Sequence, residues 1–369
     1  MKYFHIDDFN FADKKVIIRL DYNVPLDRRG NISDLRRIKE TLPTLRYIIK
    51  QNPKQIIIIT HLGRPDGKRI KKLSTKKIAS ALSKLIKQKV DFAPSISKIP
   101  DKKIVMLENI RFWKEEESNS KHFANKIARL GNLFVNDAFS ASHRQHSSIV
   151  GIPNYLPSCS GFLMDNEIKV IESVLKNPKK PFIAIIGGAK MNKINLINNL
   201  LKKVDKMLIG GKLAFAFLSA EGKKIPVKIG NEEIKAAKKI LSKKINQAKL
   251  IIAEDNVDGK DIGEKSIIKF KSYISKAKTI IWNGSLGMAE DTKYRKGTKE
   301  IAKYLANSKA YTLAGGGDTS SILEKLNLAK KMKHVSTGGG ASLVLFEGGK
   351  LEGIEALEKN YKRFSNKLS

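Results

Sequence analysis

Arginine and histidine, the side chains best suited to gripping a compact anion, gather in the first 150 residues. Five segments there carry Asp21, Asn23, Arg37, His61, Arg64, Arg111, His143 and Arg144. A guanidinium makes paired, charge-assisted bonds to carboxylate or phosphate, so several converging arginines would hold one small polyanion. Asp21 and Asn23 would accept from hydroxyls of that ligand, or orient an arginine. Local alternatives stay open from these residues alone. Arg111 beside Glu108 also fits a structural ion pair, His143 fits a cap, and His61 fits a group that orients Asp21 or a carbonyl. The HxxH of His143 and His146 is a weak metal signal.

The second half has different loop chemistry. Gly187-Gly188, Gly210-Gly211, Gly315-Gly316-Gly317-Asp318 and Gly338-Gly339-Gly340 each follow a short apolar run. Glycine permits positive φ and close backbone approach, and free N–H groups at a following helix start hold phosphate. Asp318 beside such a turn suits a direct or water-mediated Mg²⁺ contact. Lys190 and Lys193, just after Gly187-Gly188, would neutralise transferring oxygens. Each glycine run alone is also explained by a tight turn. The P-loop GxxxxGK[ST], the kinase HRD and DFG pair, a strand-linked GxGxxG and a GxSxG elbow are all missing, so any nucleotide is held by another glycine architecture.

These residues need a scaffold that brings loop ends together. Short β-branched runs recur at Val16–Leu20, Gln55–Thr60, Ile104–Leu107 and Leu133–Val135. A second series recurs at Phe182–Ile186, Lys206–Ile209, Leu250–Ala253, Thr279–Trp282, Ala310–Leu313 and His334–Ser336. Amphipathic patterns such as 36–49, 75–87 and 120–130 lie between them. Strand, loop and helix in repetition predict an α/β chain of mostly parallel sheets flanked by helices, with ligands at the carboxyl ends of the strands. A length of 369 residues suggests two domains, joined by a helix near 165–175. No apolar run reaches membrane-spanning length, which predicts no membrane partner. Two aspartates in MKYFHIDDF and a lone cysteine, Cys159, fit a cytoplasmic chain without a disulfide framework. Lys plus Arg is 71 against 36 Asp plus Glu, a formal charge of +35. That field attracts anions; without a zinc-finger spacing or an aromatic platform, nucleic acid is expected only as non-specific electrostatic binding.

Eleven segments in order resemble the phosphoglycerate kinase family: RLDYNVPL (19–26), RRIKETLPTL (36–45), HLGRPDG (61–67), LENIRF (107–112), VNDAFSASHRQHSS (135–148), GFLMDNEI (161–168), GGAKMNKI (187–194), LIGGKLAFAFL (208–218), WNGSLGMAE (282–290), AGGGDTS (314–320) and VSTGGGASL (335–343). The resemblance implies two similar-sized domains hinged about a central cleft. Residues 1–165 with 351–369 would bind 3-phosphoglycerate or 1,3-bisphosphoglycerate, and 166–350 Mg²⁺ with ADP or ATP. It implies reversible transfer of the acyl phosphoryl group to ADP by a monomer with no obligate protein partner. Asp21, Asn23, His61 and Arg64 would hold substrate, and Arg111 and Arg144, supported by His143, the stable phosphate. Arg37, Lys193, Gly338 and Gly339 would serve the transferring group. Gly187, Lys190, Gly211, Asn283, Glu290, Gly316, Gly317, Thr319 and Gly340 would meet nucleotide, and Asp318 Mg²⁺.

The chain departs from the family pattern at a segment one residue short between Lys190 and Lys193, at Lys212 for a small residue, at Ser285 and Glu264 for prolines, and at Ser140 for a common glycine. Ser285 is expected to loosen its turn. The short segment and the charge motivate a second reading, a catalytically weak relative that binds anions or nucleic acid.

Overall fold

A computed structural model describes residues 2–188 and 193–368, and the chain divides into two compact units, Met1–Ile168 with Lys350–Ser369, and Lys169–Gly349. The first unit holds β1 (Lys15–Leu20), β2 (Gln55–Ile59), β3 (Asp91–Ala93), β4 (Ile104–Leu107), β5 (Leu133–Asp137) and β6 (Ser158–Ser160). They form one parallel sheet in the order β3-β4-β2-β1-β5-β6. Successive side chains leave a strand on opposite faces. Val16, Ile18, Ile56 and Ile58 therefore enter one core, and Ile17, Ile57, Ile59 and Phe134 the other. Burial on both faces is why these strands are continuous apolar runs rather than alternating ones.

The second unit repeats the plan with β7 (Phe182–Ile186), β8 (Lys206–Ile209), β9 (Leu250–Ile252), β12 (Thr279–Asn283), β13 (Tyr311–Gly315) and β14 (His334–Val335), in the order β14-β13-β12-β7-β8-β9. A small antiparallel pair, β10 (Asn256–Val257) and β11 (Asp261–Ile262), stands apart. From β7 the chain steps outward through β8 and β9, then returns to build β12, β13 and β14 on the other side. The seam between β7 and β12 is thus a topological switch point, where ligands of open α/β sheets collect.

Three elements differ from the sequence expectation. The pattern 36–49 is two helices, Arg36–Glu40 and Leu42–Lys50, because Pro43 brings no N–H to continue the ladder past Thr41. The helix expected near 165–175 is longer, Phe162–Lys176, and carries the chain from one unit into the other. The edge strands β3 and β6 are three residues each and lack an apolar β-branched run, so no sequence pattern announces them.

Candidate functional site

In the first unit the chemistry sits where β1, β2 and β5 end. Asp21 follows β1 and is buried. Its carboxylate accepts from Arg37 Nη1 at 2.6 Å and from the Asn23 N–H at 3.0 Å. Burial alone would raise its pKa; Arg37, the Asn23 N–H and Arg19 outweigh burial and hold it well below the usual carboxylate range. Asp21 therefore orients an arginine. Arg37 Nη1 also donates to Ser140 Oγ at 3.1 Å, so the serine that replaces a common glycine supplies a second partner. Asn23 Oδ1 accepts from the Gly63 N–H at 2.8 Å and ties the β1 loop to the β2 loop.

A residue that sequence reasoning left unassigned organises this floor. Arg19, inside β1 and 0% exposed, donates from Nε to Ser148 Oγ at 2.9 Å and lies 3.2 Å from His61 Nδ1 through Nη2. A guanidinium cannot accept, so Nδ1 of His61 is the acceptor and the ring proton resides on Nε2. His61 is neutral: burial pushes its pKa well below the ordinary value, and the pull of Asp21 does not restore it. The 3.6 Å approach of Nδ1 to Asp21 is therefore not an ion pair. Buried Glu116 balances Arg19 and accepts twice from Ser148, from Oγ at 2.6 Å and N–H at 2.9 Å. The available signal was a charged residue inside an otherwise apolar strand.

Arg111, 3% exposed, donates to Gly63 O at 3.0 Å and faces Glu117 at 3.2 Å. The alternative pair with Glu108 does not form. Glu108 instead accepts from the Thr75 N–H at 2.9 Å and Ser74 Oγ at 2.8 Å, at the start of the helix Lys76–Ile86. His143 is depressed by burial and then by Arg144; His146 is pushed down to about 3 by burial, then Arg111, Arg19, Arg144 and His143. Nδ1 of His143, Nδ1 of His146 and Nε of Arg111 are buried without a hydrogen-bond partner. Buried polar atoms are rarely left so. Arg64 is exposed and Arg144 half-buried at the same strand-end loops.

In the second unit, glycine loops pack backbone to backbone at the switch point. The Gly187 N–H donates to Asn283 O at 2.9 Å and the Gly188 N–H to Ser285 O at 2.7 Å. A Cβ on Gly187 would stand 2.1 Å from Ser285 O, and one on Gly211, itself at φ +64°, 2.9 Å from Gly188 N. Asn283 Nδ2 donates to Gly315 O at 3.0 Å. The Gly284 N–H donates to Thr319 Oγ1 at 2.7 Å, and Trp282 Nε1 to Gly284 O at 2.8 Å. These bonds tie the turn containing Ser285 to its neighbours without a proline. Glu264, the other proline replacement, pairs with Lys296 at 2.6 Å. Lys193 Nζ donates to Gly187 O at 2.6 Å; Lys190 lies outside the described residues.

Beside these loops is a cavity of 530 Å³, lined among others by Gly188, Gly211, Lys212, Ser285, Glu290 and Asp318. Lys260 and Lys325, unassigned from sequence, also line it. Asp318 is exposed in the first turn of the helix Gly317–Lys325, which follows Gly316 at φ +102°. Gly338, Gly339 and Gly340 are outside that lining; Gly339, at φ +47°, precedes the helix Gly340–Phe346. A Cβ on Gly317 or Gly339 would meet nothing within 4 Å, so packing does not explain the missing side chain at either position. Among the described residues, no group of three or more His, Cys, Asp or Glu could hold a metal.

The phosphoglycerate kinase model matches residues 6–260 and 252–349. The chain belongs to the phosphoglycerate kinase family. A member from Coprothermobacter proteolyticus is 41% identical over 97% of this chain and 99% of its own length. One from Borrelia garinii subsp. bavariensis is 42% identical over 96% and 99%. The solved structure of phosphoglycerate kinase from Coxiella burnetii superposes with a TM-score of 0.85 at 34% identity, over 97% of this chain and 99% of that one. As a family member the chain is a phosphotransferase that reversibly moves the acyl phosphoryl group of 1,3-bisphosphoglycerate to ADP, giving ATP and 3-phosphoglycerate.

Proposed function

We propose that the family reaction divides between the two units, with residues 1–165 and 351–369 holding the phosphoglycerate and 166–350 the Mg-nucleotide. The observation that carries this reading is the cationic floor of the first unit. Arg19 and Arg111 are buried in it, Arg37 is pinned by Asp21 and Ser140, burial holds His61, His143 and His146 neutral, and Nδ1 of His143 and of His146 are buried without a hydrogen-bond partner. Arg111, Arg144 and His143 hold the phosphate that stays on the glycerate. Asn23, His61 and Arg64 hold its acid and hydroxyl end. Asp21 fixes Arg37, whose half-open guanidinium meets the transferring group.

In the second unit Gly187, Gly211, Asn283, Gly316, Gly317, Thr319 and Gly340 approach the nucleotide, and Glu290 accepts from its ribose. Lys190 and Lys193 neutralise its phosphates, with Lys193 exchanging carbonyl partners for phosphoryl oxygens, and Gly338 and Gly339 offer N–H groups. Asp318 suits Mg²⁺: an exposed carboxylate beside an open helix start matches a cation that binds through one or two carboxylates plus substrate phosphates. Mg²⁺ held there by Asp318 would supply charge neutralisation to the nucleotide phosphates.

No base is needed, because the attacking carboxylate or diphosphate oxygen is already anionic. Neither Asp21 nor His61 is set up as a base: Asp21 is held well below the usual carboxylate range by its burial-offsetting cationic partners, and the Nδ1 lone pair of His61 is turned to Arg19. Catalysis is positioning plus charge neutralisation. A coupled assay with ATP and 3-phosphoglycerate, run at several Mg²⁺ concentrations, tests the division. Asp318→Asn should raise the Mg²⁺ needed for half-maximal rate; an unaltered Mg²⁺ curve would remove Asp318 from its role.

A further inference from the structure

The loop that carries His143 and Arg144 is held from behind by the last helix of the chain. The Gly353 N–H donates to Ser142 O at 2.8 Å, and Gln145 Nε2 donates to Glu352 Oε1 at 3.0 Å. Both flanks of the His143-Arg144 pair are therefore tied to two successive residues in the first turn of the helix Glu352–Leu368. The approach leaves no room for a side chain. A Cβ on Gly353 would stand 2.9 Å from both Cβ and Oγ of Ser142, and 3.2 Å from Asn136 Nδ2. Gly353 does not have a positive φ, so contact, not backbone conformation, requires glycine here.

The atoms it would strike cannot swing away. Ser142 is fully buried, its Oγ donates to Ala138 O at 3.0 Å, and Asn136 lies within β5. One struck atom is a Cβ, which moves only with its backbone, so an added methyl would push the loop itself. His143 and Arg144 are the next two residues.

We propose that Gly353 is a positioning residue for the phosphorylated acid: its lack of a side chain lets the last helix set the distance at which His143 and Arg144 meet the phosphate. The proposal rests on the reading that these two residues hold that phosphate. Gly353→Ala should raise KM for 3-phosphoglycerate by roughly tenfold, within the ~10²-fold that a misplacement of about 1 Å costs, and leave KM for ATP unchanged. Ser142→Gly removes both of the nearest struck atoms, so Gly353→Ala with Ser142→Gly should return KM close to that of Ser142→Gly alone. If Gly353→Ala does not fold, Gln145→Ala cuts the second tie at an exposed position and should raise the same KM two- to threefold.

An unchanged KM for 3-phosphoglycerate in the folded variants, an equal rise in both KM values, or no rescue by Ser142→Gly would each overturn the proposal. Arg144→Ala separates the two levels. If it leaves KM for 3-phosphoglycerate unaltered, the phosphate reading falls. If it raises that KM while Gly353→Ala does not, the reading stands and the role of Gly353 is refuted.

Discussion

Arg37 has two partners on one nitrogen, Asp21 and Ser140, and a half-open side chain. Its charge is therefore aimed before any substrate arrives, which is the condition for a donor to act mainly in the transition state. Arg37→Ala should lower kcat by at least ~10²-fold, the size of losing one preorganised donor, with a smaller change in KM. Steady-state rates in both directions check this, and an unchanged kcat would remove Arg37 from the reacting group. Sequence chemistry made Arg37 and Asp21 legible because both stand at strand-end or helix-start loops. Arg19 was legible only in part: a charge within the apolar run of KVIIRL marks it, but only the packing of Ser148, Glu116 and His61 around it reveals its use. The Glu108–Arg111 pair left open by the sequence is decided by direction, since Glu108 points the other way, toward a helix start.

At the scale of elements, the helix Phe162–Lys176 begins over a buried acid. Asp137 ends β5, and its Oδ1 accepts from the Met164 N–H at 2.9 Å while Oδ2 has no partner. Burial pushes its pKa up to about 7 from 3.8; the helix N–H groups and Thr44 pull it back only in part. The folded pKa therefore lies above the unfolded one. The folded state binds the extra proton between these values, so stability falls as pH rises from about 4 to about 7. Asp137→Asn keeps the shape, removes the charge and should flatten that fall. Urea unfolding of both proteins across this range checks the sign; parallel curves would place the proton elsewhere. The central strands were plain in the sequence because burial on both faces demands continuous apolar runs, as in Ile56–Ile59. β3 and β6 were hidden because an edge strand of three residues needs no such run, and Pro43 split a helix whose apolar spacing ran on unbroken.

At the scale of the whole molecule, 71 basic residues face 36 acidic ones, and much of the acid is already committed to pairs such as Glu264–Lys296 and Glu300–Lys271. The remaining cationic field reaches across about 10 Å at 0.1 M salt and shrinks as salt is added. Capture of a phosphorylated acid should follow it: KM for 3-phosphoglycerate should climb steadily with ionic strength, while kcat, set by fixed contacts, changes little. A flat KM series in KCl would show that the surface charge has no part in capture.

The first unit is assembled from both ends of the chain. Asn360, near the far end, accepts from the Ser158 N–H at 2.9 Å and donates to Leu156 O at 2.7 Å. Ribosomes make protein from the amino end at about 5–20 residues per second. The portion emerging earliest therefore waits roughly 10–40 s for the stretch that seals it, at that speed of translation. Until then Leu156 and Ser158 lack their Asn360 partner, and the later-made unit, contiguous in sequence, can finish folding before the one begun ahead of it.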